Sequence, residues 1–284
     1  MTALPPLLVA DLPRRGLMGV VNVTPDSFSD GGTYLDAGAA IAHGLALAAA
    51  GAAVIDVGGE STRPGADPVD ADEELRRVLP VVRALVEQVH VPVSIDTTKS
   101  VVARAALDAG ARMVNDVSGG TADPEMLRVV AGANAGYIAM HMRGTPRTMR
   151  DLANYTDVVA EVGSELRVRV DRAVEAGIDA RSVLADPGIG FAKTADHNLA
   201  LLRALPELTV RVGVPLVVGT SRKSFLGAVV GDDRGGRDDA TLATTVWCFE
   251  QGVAMVRVHD VAGSRRAVEL LEVIERATPE GMAA

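Results

Sequence analysis

Leu184-Ala185-Asp186-Pro187-Gly188-Ile189-Gly190-Phe191 decides how this chain is read. A short apolar run, opening after Arg181-Ser182, stops at a carboxylate, a proline and two spaced glycines. Pro187 has no N–H to donate, so ladder pairing ends there. Gly188 and Gly190 admit positive φ and let a ligand approach the backbone closely. A buried strand that delivers an acid straight into a tight turn is how a barrel enzyme presents a carboxylate at its mouth. Asp186 then sits half-buried at a strand end, able to accept hydrogen bonds from a flat donor. Taken alone, the same residues also fit an aspartate that merely caps the next turn.

The pattern recurs on both sides of this stretch. Eight short apolar runs are Leu17–Asn22, Ala53–Gly58, Val93–Asp96, Met113–Asp116, Gly136–His141, Val183–Asp186, Val214–Gly219 and Ala254–His259. Helical periodicity marks Ala37–Ala50, Asp72–Gln88, Ser100–Ala109, Pro124–Ala133, Val158–Ala176, Ala195–Leu205, Ala240–Gln251 and Arg265–Ala277. Gly51, Gly110, Gly177 and Gly252 stand where helix C-caps belong. Eight strands alternating with eight helices predict an α/β fold, a (β/α)8 TIM barrel. One barrel domain over 1–284 is expected, with 1–15 a Pro-rich lead-in, at most a short hairpin at the base, and 278–284 a disordered tail.

Composition agrees. The 284 residues are 48% hydrophobic but only 3% aromatic, so Ala, Val, Leu and Ile must build the core, as suits parallel strands buried on both faces. A formal charge of −9 argues against non-specific nucleic-acid binding. The single cysteine, Cys248, excludes an internal disulfide and an all-cysteine metal site, and reads as a small buried hydrophobe. No run is long and apolar enough to span a membrane, and Met1–Arg15 lacks a signal-peptide core. A cytoplasmic enzyme is expected.

The functional signal lies in where the polar residues fall. The strand ends carry Asn22, Glu60, Asp96, Asn115 with Asp116, His141, Asp186, Ser221-Arg222-Lys223, and Arg257 with His259. Barrel active sites lie at that end, and eight polar ends on one rim are hard to explain as caps. Asn22–Gly32 is a long polar loop suited to phosphate or Mg2+, or else a surface loop. Gly58–Gly65 holds Arg63 between glycines and a proline, either an anion clamp or an exposed arginine. Gly219–Gly227 brings two cations and two hydroxyls to a helix start, an anion site in the place where barrels often bind phosphate. Arg257 and His259 share one strand face and make a second anion grip. A zinc or triad role for His259, and a Schiff base at Lys223, find little support in their neighbours. Acids within and cations at the rim suit a substrate with a donor-rich flat head and a phosphate tail.

Asn22–Gly32, Gly58–Gly65, Asp96-Thr97, Asn115-Asp116, Asp186–Phe191, Ser221–Gly227 and Arg257–Val261 together resemble the dihydropteroate synthase family, in order and across nearly the whole chain. That family joins para-aminobenzoate to 6-hydroxymethyl-7,8-dihydropterin diphosphate and releases pyrophosphate. The resemblance implies that Asp96, Asn115, Asp186 and Lys223 hold the pterin, with Met140 and Phe191 lining its slot. It implies that Asn22, Arg63, Arg257 and His259 hold the diphosphate, with Mg2+ at Asn22. Phe28, Thr62, Pro64, Ser221, Arg222 and Ser224 would form the para-aminobenzoate pocket, and Asp30 would close over the site. Asp96, Asp30, Lys223, Arg257 and His259 would then serve the chemistry, a dissociative displacement without a covalent enzyme intermediate. A homodimer is implied through helices near Trp247, Cys248 and Phe249. Departures are small: Ala185 replaces a bulkier aliphatic residue, and Gly231–Asp239 reads as an exposed polar loop. Two rivals stay open, a corrinoid-linked methyltetrahydrofolate barrel and an idle paralogue that binds pterin or a partner protein. Sulfonamide sensitivity is not legible.

Overall fold

Alternate residues of a strand face opposite ways, and in this chain that alternation sorts each strand into an inner and an outer set. The computed structural model describes residues 5–24, 33–231 and 234–277. Its strands are β1 Gly16–Asn22, β2 Val54–Gly58, β3 Val93–Asp96, β4 Met113–Asp116, β5 Gly136–Met140, β6 Val183–Asp186, β7 Val217–Val218 and β8 Met255–Val258. Neighbouring strands pair in parallel, in the order β6-β5-β4-β3-β2-β1-β8-β7. A bridge from Ala185 to Leu216 and a bond from Ala185 N to Pro215 O at 3.0 Å close β6 against the entry to β7. The expected barrel is therefore present.

The barrel axis is apolar below and polar above. Met18, Val54, Met113, Ile138, Leu184, Val217 and Met255 form a buried plug. Two residues further along, on the same inward faces, stand Val20, Asp56, Asn115, Met140, Asp186, Gly219 and Arg257. Asp96 joins them on β3, two residues beyond buried Ser94. Outward side chains such as Val21, Ile55, Ile95, Val114, Tyr137 and Val256 pack beneath the helices.

Ten helices surround the sheet among the described residues. They are α1 Thr33–Ala49, α2 Ala71–Gln88, α3 Ser100–Asp108, α4 Met126–Gly132, α5 Val158–Glu175, α6 Ala195–Arg203, α7 Leu205–Val212, α8 Ser224–Val230, α9 Arg234–Glu250 and α10 Val261–Arg276. Four expectations need correction. Residues 5–15 form no hairpin; a 3-10 turn at Val9–Asp11 sets Leu7, Val9 and Leu12 against the plug. The helix expected to end at Leu205 gives way at Ala204 to a second one, because Pro206 fits only a first turn. Strand seven is short because Pro215 cannot donate to a ladder. The polar stretch read as an exposed loop to Asp239 is helical from Arg234, with Asp238 turned onto Arg222. The tail expected at 278–284 lies outside the described residues.

Leu184 is fully buried in the plug. Leu184→Ala is expected to lower unfolding free energy by about 2–5 kcal/mol, read from urea midpoints.

Candidate active site

The centre of the mouth is an ion-paired hub. Arg257 donates from Nε to Asp56 Oδ2 at 2.7 Å and from Nη2 to Asp96 Oδ2 at 2.8 Å. Asn115 Nδ2 donates to the same Asp56 oxygen at 2.9 Å. Four strands thus meet through side chains on the axis. Burial, opposed by Arg257 but reinforced by Asp56, Glu74 and Asp116, holds the Asp96 carboxyl up at about 7. Asp56 is a site residue that the sequence reading passes over, since it assigns Glu60 as the polar end of strand two. A signal is nonetheless present: an acid inside Val54-Ile55-Asp56-Val57 is almost never buried without a partner. Glu60 instead pairs with Lys99, away from the hub.

Beside the hub lies the slot built by the stretch around Asp186. Asp186 Oδ1 accepts from Gly188 N at 2.7 Å, an Asx-type turn that fixes the carboxylate at the end of β6. Gly188 has φ 67°, and a Cβ there would collide with the carbonyl oxygen of His141, so only glycine fits. Lys223 crosses from the far side of the β6–β7 seam. Its Nζ donates to Ile189 O and stands 4.7 Å from the Phe191 ring centroid. Burial lowers the Lys223 ammonium to about 8 and raises the Asp186 carboxyl, while each pulls the other back toward its charged form. Met140, Met142, Met149, Val117 and Ala192 make an apolar wall with Phe191 packed on it.

Basic and hydroxyl side chains stand at the rim. His259 N donates to Ser221 Oγ at 3.2 Å, and Ser221 Oγ lies 2.9 Å from His259 Nδ1. A hydroxyl proton given to Nδ1 would leave Nε2 as the imidazole donor. Burial first, then Arg257, Arg222 and Arg63, depress His259 to about 4. The Arg63 charge is thus felt at His259, although Arg63 itself is exposed on the loop after β2 with Pro64. Thr62 is half-buried there, and Ser224 is exposed at the start of α8. Asn22, half-buried, ends β1 opposite Gly58.

Three expected groups are placed otherwise. Arg222, with φ 58°, donates from Nε to Asp238 Oδ1 at 2.6 Å, so its guanidinium faces α9 while Lys223 turns inward. Asp116 points outward, as its neighbour Asn115 points in, and is consumed by Ser118, Gly120 and Tyr137. His141 is buried between Glu165 and Lys193, at 3.0 Å from each, behind the slot. Phe28 and Asp30 lie outside the described residues.

Comparison with known proteins points the same way. A family model described as pterin binding enzyme matches residues 18–259. The dihydropteroate synthase of Mycobacterium leprae is 52% identical, over 91% of this chain and 92% of its own. The Xanthomonas albilineans dihydropteroate synthase solved with 4-aminobenzoic acid superposes with a TM-score of 0.87 at 45% identity, covering 94% and 95% of the two chains. Its complex with 7,8-dihydropteroate gives 0.84 at 42%, over 96% and 97%. The chain belongs to the pterin-binding enzyme family, in its dihydropteroate synthase branch. It is an enzyme, a transferase.

An anion beside His259 favours the imidazolium and raises its pKa from about 4. Pyrophosphate binding near pH 5 to 6 is therefore expected to take up protons, seen as a buffer-dependent calorimetric enthalpy, and His259→Asn to abolish most of that uptake.

Proposed function

We propose that the chain condenses 6-hydroxymethyl-7,8-dihydropterin diphosphate with para-aminobenzoate, giving 7,8-dihydropteroate and pyrophosphate for folate synthesis. The observation that carries this is that Asp186 and Lys223 act on each other beside Phe191 and Met140, within the field of Arg257. Asp186 accepts from the pterin ring N–H and exocyclic amine, while Asn115 and Lys223 serve its other polar edges. Met140 and Phe191 cover its faces. Arg257, His259 Nε2 and Arg63 receive the diphosphate, with Asn22 at its edge. Thr62, Pro64, Ser221 and Ser224 border the space left for the arylamine; Arg222 joins them only if it leaves Asp238.

The reaction breaks the methylene C–O bond and forms a C–N bond, and the arylamine nitrogen gives up a proton. An arylamine is a weak nucleophile, so stabilising the departing pyrophosphate contributes most. Arg257 and Arg63 neutralise its growing charge, and neutral His259 donates to it. Asp96, beside the reacting carbon and held by Arg257, has the right sign to stabilise developing positive charge there. Asn22 offers a hard oxygen donor at the end of β1, and Mg2+ commonly takes one or two protein oxygens with substrate phosphates, so the donor set fits. Bound there, Mg2+ would add charge neutralisation on the diphosphate.

The enzyme acts as a cytoplasmic homodimer in this proposal. Trp247 of α9, a large apolar side chain left exposed, supports a second copy against that helix. Among the described residues no helix is long and apolar enough to cross a membrane. Of the expected trio, Cys248 and Phe249 are buried and only Trp247 faces outward.

The deciding experiment measures pyrophosphate release from the dihydropterin diphosphate with and without para-aminobenzoate, in Mg2+. Arylamine-dependent release with dihydropteroate formed is expected; tight pterin binding without release would move the function to methyl transfer or binding. Asp186→Asn removes charge-assisted bonds of roughly 1.5–3 kcal/mol each, so pterin affinity should fall about a hundredfold or more. Unchanged affinity in that variant would sink the slot assignment.

A further inference from the structure

Lys99 stands where helix chemistry disfavours it. It is the N-cap of α3, a place for side chains that accept from free N–H groups and for negative charge. It makes no capping bond; Asp123, from the segment after β4, accepts from Ser100 N at 2.8 Å instead. The Lys99 ammonium reaches Glu74 of α2 at 2.6 Å and also pairs with Glu60. The Glu74 side chain is fully buried, and its Oε1 has no hydrogen-bond partner. Two acids around one cation, with a buried oxygen left over, is a poor stabilising device, since apolar residues of similar volume often serve as well or better.

The cluster's position explains its presence. Glu60 opens the loop that carries Thr62, Arg63 and Pro64. Lys99 follows Asp96 by three residues, and its N–H donates to Thr97 Oγ1 at 3.2 Å. Arg77 of α2 secures the adjacent residue, donating from Nη1 to Gly59 O at 2.9 Å. The far part of the loop is held separately, by Gly65 N to Pro146 O at 2.9 Å and by the exposed pair Asp67–Arg147.

We propose that Lys99 is a positioning residue for the arylamine side of the site: by clamping Glu60 onto Glu74 it sets where Thr62, Arg63 and Pro64 stand relative to Asp96. This rests on the functional reading above. No side chain of the cluster bonds the pterin-side groups Asn115, Asp186 and Lys223, and it reaches Asp96 only through the charge of Glu74, so arylamine and pterin affinities should separate.

The test compares the full chain with Lys99→Met, Lys99→Arg and Glu60→Gln. A displacement of about 1 Å can cost about a hundredfold, so Lys99→Met should raise KM for para-aminobenzoate about tenfold or more, while Kd for 6-hydroxymethylpterin stays within about twofold. Amide exchange over residues 60–67 should quicken in the same variant. Lys99→Arg should recover most of the loss, and Glu60→Gln should reproduce part of it. An arylamine KM within about twofold of wild type in Lys99→Met, or a fall in pterin affinity of equal size, would overturn the assignment, because uncoupled sites leave each other's energies unchanged. Wild-type protein without arylamine-dependent pyrophosphate release would overturn the functional reading and this role with it. That outcome is seen with the wild-type chain alone.

Discussion

Arg257 lies between Asp56 and Asp96 at the centre of the mouth, and the site depends on that pairing. A closed barrel normally fills its axis with apolar side chains, and the lower layer here does so. A ligand pocket above requires polar groups, and polar groups on the axis lose water. The arginine offsets much of this by bonding acids from two strands at once, with Asn115 added from a third, although Asp56 Oδ1 is left without a partner. One cation does not fully offset its surroundings. The remaining negative potential, with burial, lifts Asp96 and keeps the interior ready for a cation-like centre or a donor-rich ring. Charge at the rim is of the other sign, which suits the proposed substrate with its flat head and anionic tail.

Much of this is legible in the amino-acid sequence alone. Each strand of a parallel barrel must be apolar along most of its length, so an acid, a proline and glycines at Asp186–Gly190 mark a strand end built as a candidate ligand contact. Repetition around the chain turns that local sign into an architecture. What escapes the sequence has a common origin in direction. Asn115 and Asp116 are adjacent, yet one faces the axis and the other the helices. Arg222 and Lys223 are adjacent, yet a left-handed residue sends them to opposite sides. Asp56 is hidden from a reading of strand ends, because its significance lies in parity with Val54 and Gly58. Lys99 carries a readable sign, a cation at a helix start, but its partners come from 25 and 39 residues away in sequence.

Helix boundaries show the same division. Periodicity locates α2, α3 and α5 to within about a residue, since their apolar faces are long. The α6–α7 junction depends on one proline, and α9 begins early because a polar first turn carries little periodic signal.

The ring of strands has a seam. Strand β7 is two residues long, and β6 meets its approach through a single bridge. Asp186 stands on one side of that join and Lys223 follows on the other. In the proposed binding mode, a flat ligand held by both groups would span the join and act as a clasp. Binding in the proposed mode would then do mechanical as well as chemical work: the substrate would complete the hoop at its thinnest point, and the barrel would breathe least there with the slot filled.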